Sequence, residues 1–222
     1  MPARLRPTAP IAADAVLVGD PGRALMLAQE LLEAPKMCNH ARGLWGYSGQ
    51  AVGGERLLTV QSTGIGGPSA ALVLGDLVEL GLRRAVRVGT CAAISPGLRC
   101  GRLLIVTEAH AWSGSLDRAA AVAVPDPELS AQLNRRLGSA AVEATVASLD
   151  TLHVGGSPAP VQAGEAADMQ TATLLRRGSE LRIALAAVLI VTESASAERL
   201  GDDGLELAAK AAGNVAAAVL SA

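Results

Sequence analysis

Ala15-Val16-Leu17-Val18-Gly19-Asp20-Pro21-Gly22-Arg23 decides the fold class. Four apolar residues, two of them β-branched, read as a short strand. Asp20 is a good helix N-cap and Pro21 suits the first helical position, so the turn opens a helix that continues through 24–32. A strand feeding directly into a helix is the unit of an α/β sheet. Working outward, Tyr47–Val52 and Leu57–Gln61 flank Gly53-Gly54-Glu55-Arg56 as a hairpin. A helix is predicted over Pro68–Leu80, ending at Gly81, and strands over Ala85–Val88 and Leu103–Thr107. Residues 109–124 show no clear period and read as a loop. Beyond them come a helix over Pro127–Leu137 with a Gly138 stop, a strand over Val142–Ala147 and a Gly/Pro-rich loop over 155–164. A helix is predicted over Met169–Arg177. Ile183–Val191 is a continuous apolar run, the pattern of a central strand buried on both faces. Leu205, Ala208, Ala209, Ala212, Val215, Ala216, Val219 and Leu220 give a closing helix one apolar face. No repeat or linker composition appears, so one α/β domain over 1–222 with a largely parallel sheet is expected.

Composition narrows the function classes. Half of the 222 residues are apolar and 18% are charged, with mean hydropathy +0.34, which excludes a disordered chain. A net charge of −2 excludes a general polyanion binder, and with only Trp45, Tyr47, Trp112 and no Phe, base stacking is nearly unavailable; no nucleic-acid partner is expected. Cys38, Cys91 and Cys100 have no metal-ligand spacing and read as reduced thiols of a cytoplasmic protein. Residues 1–13 lack the apolar centre of a signal peptide. The run at 183–191 is about half of a membrane span, so no membrane partner is expected.

Ligands of open α/β sheets bind beyond the carboxyl ends of the strands. Four strands here end in unusual clusters: Gly19 to Arg23, Ser62-Thr63-Gly64-Ile65-Gly66-Gly67-Pro68-Ser69, Arg87-Val88-Gly89-Thr90, and Thr192-Glu193-Ser194. Glycines let backbone N–H groups approach an anion, and arginine forks fit phosphate oxygens. Arg87 sits inside an apolar strand, where an unpaired charge is costly. It meets either an internal carboxylate such as Asp76 or Glu79, or a bound anion, and the residues alone leave both open. No Gly-x-Gly-x-x-Gly follows the first strand, which argues against a dinucleotide site.

Together with Asn39-His40-Ala41-Arg42-Gly43-Leu44-Trp45-Gly46-Tyr47-Ser48-Gly49, these clusters resemble, in order and spacing, the nucleoside phosphorylase family that includes bacterial hexameric purine nucleoside phosphorylase and uridine phosphorylase. The resemblance implies a single-domain three-layer α/β/α sandwich around a mixed, largely parallel central sheet. It implies a pentosyltransferase that cleaves the N-glycosidic bond of a purine, uridine or modified (deoxy)nucleoside with inorganic phosphate as cosubstrate, without metal or organic cofactor. Gly19, Arg23, Arg87 and Thr90 would hold phosphate. Arg42 would reach it from a neighbouring subunit, making a dimer the minimal unit and a hexamer the assembly. Leu152, His153, Met169 and Gln170 would line the nucleoside, and Glu193, with Arg87, would be catalytic. The chain departs from the family pattern at several places. Gln170 replaces a Glu that binds the sugar hydroxyls, and Leu152 replaces a stacking Phe. The uracil-reading Gln and Arg are absent from Gly155-Gly156-Ser157-Pro158. Glu193 stands where the purine enzymes have an Asp, Pro10 stands about where a neighbour-lent His is usual, and Ala92 replaces a Gly. These departures carry the alternative of a non-catalytic phosphate- or nucleotide-binding paralogue. Hydrolysis by water is a weaker third reading, because it leaves three arginines without a purpose.

Overall fold

The computed structural model describes residues 4–112, 122–150 and 164–222. Ten strands and five α-helices follow one another in this order: β1 (Asp14–Val18), α1 (Pro21–Leu31), β2 (Leu32–Asn39), β3 (Gly46–Ala51), β4 (Leu57–Ser62), α2 (Gly66–Glu79), β5 (Arg84–Ala93), β6 (Leu103–Trp112), β7 (Val122–Ala123), α3 (Pro127–Leu137), β8 (Ala141–Leu149), β9 (Ala166–Asp168), α4 (Thr171–Glu180), β10 (Ala184–Glu193) and α5 (Asp202–Leu220). β4, β1, β5 and β10 form the parallel centre. β3 and β2 extend it antiparallel on one side. On the other side β10 pairs β6, β6 pairs β8, β8 pairs β9, and β9 returns to β5. Among the described residues those five strands therefore close on themselves and leave no free edge at that end.

Period-two alternation builds two cores from the same strands. Ala15 and Leu17 of β1, and Leu185, Ala187, Leu189 and Val191 of β10, pack with α2 and α4. Val16 and Val18, and Ala186, Val188 and Ile190, pack with α1, α3 and α5. Helices thus cover both faces, giving the expected three layers. Among the described residues no helix is long and apolar enough to cross a membrane.

Local chemistry sets the helix starts. Asp20 caps α1, its Oδ1 accepting from Arg23 N at 2.7 Å. Asp126 caps α3 in the same way, with Leu129 N at 2.9 Å. One strand, β2, is not anticipated from the sequence, and two expectations are corrected. β2 carries Pro35 and Lys36 and reads poorly as a strand; it forms because it is the sheet edge, where a proline breaks no ladder bond. β6 continues to Trp112, through a region expected as a loop. A register shift between Val106 and Glu108 breaks the alternation that would have revealed it. α4 starts at Thr171, two residues later than expected. Met169 consequently stands in the turn between β9 and α4, and Gln170 is the N-cap residue of α4, its backbone O accepting from Leu174 N at 2.9 Å.

Candidate functional site

The parallel strands β1, β4, β5 and β10 end along one edge, with Val18 beside Ser62 and Leu17 and Ala187 both beside Arg87. Their ends open into a cavity of about 710 Å3. Gly19, Arg23, Arg42, Arg87, Thr90, Met169, Gln170 and Glu193 all line it. Eight of the ten residues selected from sequence therefore converge. The other two, Leu152 and His153, lie outside the described residues. Ala92 also lines the cavity. Pro10 is exposed and lines no described cavity. Arg4, Arg6 and Thr8 are the N-terminal residues that stand beside His40 and Arg42.

Arg87 meets a carboxylate on β9, not one on α2. Its Nη2 donates to Asp168 Oδ2 at 3.0 Å, its Nη1 to Gln170 Oε1 at 2.7 Å and its Nε to Thr171 Oγ1 at 3.0 Å. Asp168 also accepts from Ser148 Oγ at 2.5 Å, and from Thr171 N and Oγ1 at 3.0 and 2.5 Å. Asp76 is turned to the N-terminal segment, accepting from Arg4 N and Leu5 N. A guanidinium has five N–H donors, and these bonds use three. Two remain for a ligand, one on each terminal nitrogen. Gly89 makes the arrangement possible: a Cβ there would lie 2.7 Å from Arg87 Cζ and Nη2.

Gln170 is buried and engaged on both sides of its amide. Oε1 accepts from Arg87, and Thr63 Oγ1 shares its hydrogen between that oxygen at 3.0 Å and Val18 O at 2.9 Å. Nε2 donates to Gly64 O at 2.6 Å and Gly66 O at 3.3 Å. Gln170 therefore ties the Arg87 fork to the turn after β4. That turn needs Gly64, whose φ is +74° and whose Cβ would meet Ser69 Oγ at 2.6 Å.

Burial holds the Arg23 guanidinium below its ordinary range; Asp20 opposes this, and the nearby Arg87 charge adds to it. An anion between the two arginines would relieve their repulsion. Burial likewise pushes the Cys91 thiol up, so this cavity cysteine is a packing group and not a thiolate nucleophile. Glu193 ends β10 just after a register shift. It is partly exposed and lies 3.4 Å from Arg199 Nε. Arg42 is exposed and has φ +61° and ψ +20°, a conformation costing about 1–2 kcal/mol in a residue with a Cβ. The sequence reading missed Asp168, Thr171, Thr63 and Arg199. Asp168 and Thr171 carried a faint signal, since they flank Met169-Gln170; Arg199 carried none.

The described residues include no group of three or more His, Cys, Asp or Glu side chains placed to hold a metal ion. The buried cationic and amide groups instead suit an oxyanion, beside a wall of Leu44, Ile65, Ile94, Leu149 and Met169 that suits a flat or apolar group.

Residues 14–222 match the family model described as the phosphorylase superfamily. A uridine phosphorylase of Treponema pallidum is 32% identical over 197 residues, covering 79% of this chain and 75% of that protein. A DeoD-type purine nucleoside phosphorylase of Oceanobacillus iheyensis is 44% identical over 85 residues, 38% of this chain and 35% of the relative. A DeoD-type relative from Caldanaerobacter subterraneus is 35% identical over 100 residues, 42% of its own length. The chain thus spans less than half the length of these two purine relatives. Two solved structures share the fold at 19–20% identity. One is uridine phosphorylase from Vibrio fischeri (TM-score 0.81, 95% of this chain and 92% of that one). The other is purine nucleoside phosphorylase from Toxoplasma gondii in complex with immucillin-H (TM-score 0.79, 94% and 92%).

Proposed function

The chain belongs to the phosphorylase superfamily, and from that premise we propose that it is a nucleoside phosphorylase. The reaction is phosphate-dependent cleavage of the N-glycosidic bond of a purine, uridine or modified (deoxy)nucleoside, yielding free base and a sugar 1-phosphate. The observation that carries this reading is the convergence of Gly19, Arg23, Arg87 and Thr90 with Glu193 in one cavity.

Cleavage develops positive charge at the anomeric carbon. A phosphate fixed beneath that carbon stabilises the charge and is itself the nucleophile, so positioning supplies much of the rate. One phosphate oxygen forms the new bond to the anomeric carbon. The old C–N bond leaves its electron pair on the base, which takes up a proton. Arg23, Arg42 and the two remaining Arg87 donors orient the phosphate. Asp168 balances Arg87, so the anion is held without losing all of its nucleophilicity. Glu193 is the proton donor, and Arg199 stabilises the carboxylate left behind. Inorganic phosphate is the cosubstrate, with no metal or organic cofactor assigned a role. The assembly we propose is a cytoplasmic homo-oligomer, a hexamer whose dimers share Arg42 across their interface, with Leu152, His153, Met169 and Gln170 toward the nucleoside.

Gln170 favours a second reading. With its amide fully engaged, no free carboxylate faces the sugar beside it, as in a non-catalytic phosphate- or nucleotide-binding paralogue. Base release from a panel of ribo- and deoxyribonucleosides, with and without phosphate, separates the two. Turnover that requires phosphate and yields a sugar 1-phosphate supports phosphorolysis. Turnover indifferent to phosphate points to hydrolysis. Absence of turnover in folded protein that binds phosphate supports the paralogue.

A further inference from the structure

A second cavity, of about 380 Å3, lies beside the first and is lined by Arg4, Arg6, Thr8, His40, Ala41 and Arg42. Among the described residues its lining holds three arginines and a histidine but no carboxylate. That is unusual in a chain whose net charge is −2. Among the described residues, Asp76 is the carboxylate paired with these arginines, 3.8 Å from Arg4 Nη1.

The cluster is fastened together. Asn39 Oδ1 accepts from Arg6 N at 2.8 Å, and Cys38 O from Thr8 N at 2.8 Å. Thr8 Oγ1 donates to Met37 O at 3.0 Å, and Asn39 Nδ2 donates to Leu44 O. These bonds pin the N-terminal segment to the end of β2 and to the turn that carries Arg42. Like charges brought together this way repel one another, and a bound anion offsets that repulsion. Arg42 lines both cavities, so the two are joined through one side chain. Whichever phosphate-binding cavity Arg42 serves, that of its own chain or of a second copy, Arg4, Arg6 and His40 accompany it.

We propose that Arg4, Arg6 and His40, with Arg42, form a second anion subsite that receives a phosphate ester on the sugar of the bound molecule, so that the preferred ligand is a nucleotide or sugar phosphate. Guanidinium forks bind phosphate monoesters through paired charge-assisted hydrogen bonds. The exposure of Arg6, His40 and Arg42 makes the contribution sensitive to salt. The proposal deepens the phosphorylase reading by naming the substrate class, while its binding test does not depend on turnover.

The test titrates ribose 5-phosphate against ribose, and adenosine 5′-monophosphate against adenosine, into the full chain by calorimetry in phosphate-free buffer at low salt. The expected result is at least tenfold tighter binding of the phosphorylated member of at least one pair. Arg6→Ala is expected to cut that margin to below threefold, and Arg4→Ala to reduce it. Affinity for inorganic phosphate should stay within twofold of the wild type in both variants, because neither residue lines the larger cavity. Arg6→Lys, which keeps the charge, restores part of the margin. Absence of a margin in the wild-type chain overturns the proposal. A margin that survives both alanine substitutions puts the ester in the larger cavity and also overturns it. Lack of nucleoside phosphorolysis alongside a clear Arg6-dependent margin overturns the phosphorylase reading and leaves the subsite standing.

Discussion

Arg87 Nη2 lies 3.0 Å from Asp168 Oδ2, and the two side chains are 5% and 1% exposed. β5 and β9 thus bring a cation and an anion together inside the protein, at the wall of the larger cavity. The pair is partly satisfied by Gln170, Thr171 and Ser148. Breaking a buried pair leaves an uncompensated charge, which costs far more than deleting an exposed one.

Removal of either partner should therefore destabilise the fold. Arg87→Ala or Asp168→Ala is expected to cost about 3–5 kcal/mol, read from urea denaturation. The double replacement Arg87→Met with Asp168→Leu is expected to recover a large part of that loss. Additive losses would show that the two side chains do not interact.

Phosphate should stabilise the wild-type protein in thermal melts. Arg23→Ala, which removes a partly buried guanidinium but no buried ion pair, is expected to fold and to weaken phosphate binding. One lost charge-assisted bond, about 1.5–3 kcal/mol, corresponds to about 10- to 150-fold in the dissociation constant. An unchanged phosphate-dependent shift would remove Arg23 from the site.

Gly89→Ala tests the path of Arg87 directly. The added methyl carbon would stand 2.7 Å from both Arg87 Cζ and Leu189 Cδ2, so the guanidinium must move. Phosphate affinity should fall at least tenfold in protein that retains native circular dichroism. Retained affinity would mean that Arg87 does not touch the phosphate.

Glu193→Gln should leave phosphate binding intact and lower kcat by about 10²–10⁴, the range expected for a lost proton donor. Arg199→Ala should lower kcat less, since Arg199 acts through Glu193. Steady-state kinetics on the best substrate, with phosphate affinity measured separately, decides this. A change confined to KM would make Glu193 a binding group.

Stability should decline as pH rises above about 9. Burial raises the Cys91 thiol above its ordinary value of 9.0, and raises Cys38 from the same value and Tyr47 from 10.0. Ionisation therefore begins first in the unfolded chain and draws the equilibrium toward it. The contribution is fully present below about 9 and is lost above it. Cys91→Ala should flatten the slope between pH 9 and 11 in denaturation curves. An identical slope would exclude Cys91 as a source.

Much of the fold was legible because its signals are local. Asp20 and Pro21 start α1, and Pro127 and Gly138 bound α3, through contacts within a few residues. The apolar run of β10 announced a strand covered on both faces, and its alternate residues do fill two cores. β2 and the far half of β6 were not legible. A proline-bearing edge and a register shift erase the alternation on which such a reading depends.

The gathering of Gly19, Arg23, Arg87 and Thr90 in one cavity was legible for the same reason: glycines and arginines cluster at strand ends, and parallel strands put those ends along one edge. Sequence by itself determined that Arg87 needs a buried anion, because an apolar strand cannot hold a bare charge. It did not determine which one. Asp168 lies 81 residues away, and only the pairing of β9 with β5 brings it within reach. The union of Arg4 and Arg6 with His40 and Arg42 has the same origin, through Asn39 and the end of β2. Patterning and capping act between neighbours along the chain. Charge pairing acts through space, so the tertiary structure decided the partners.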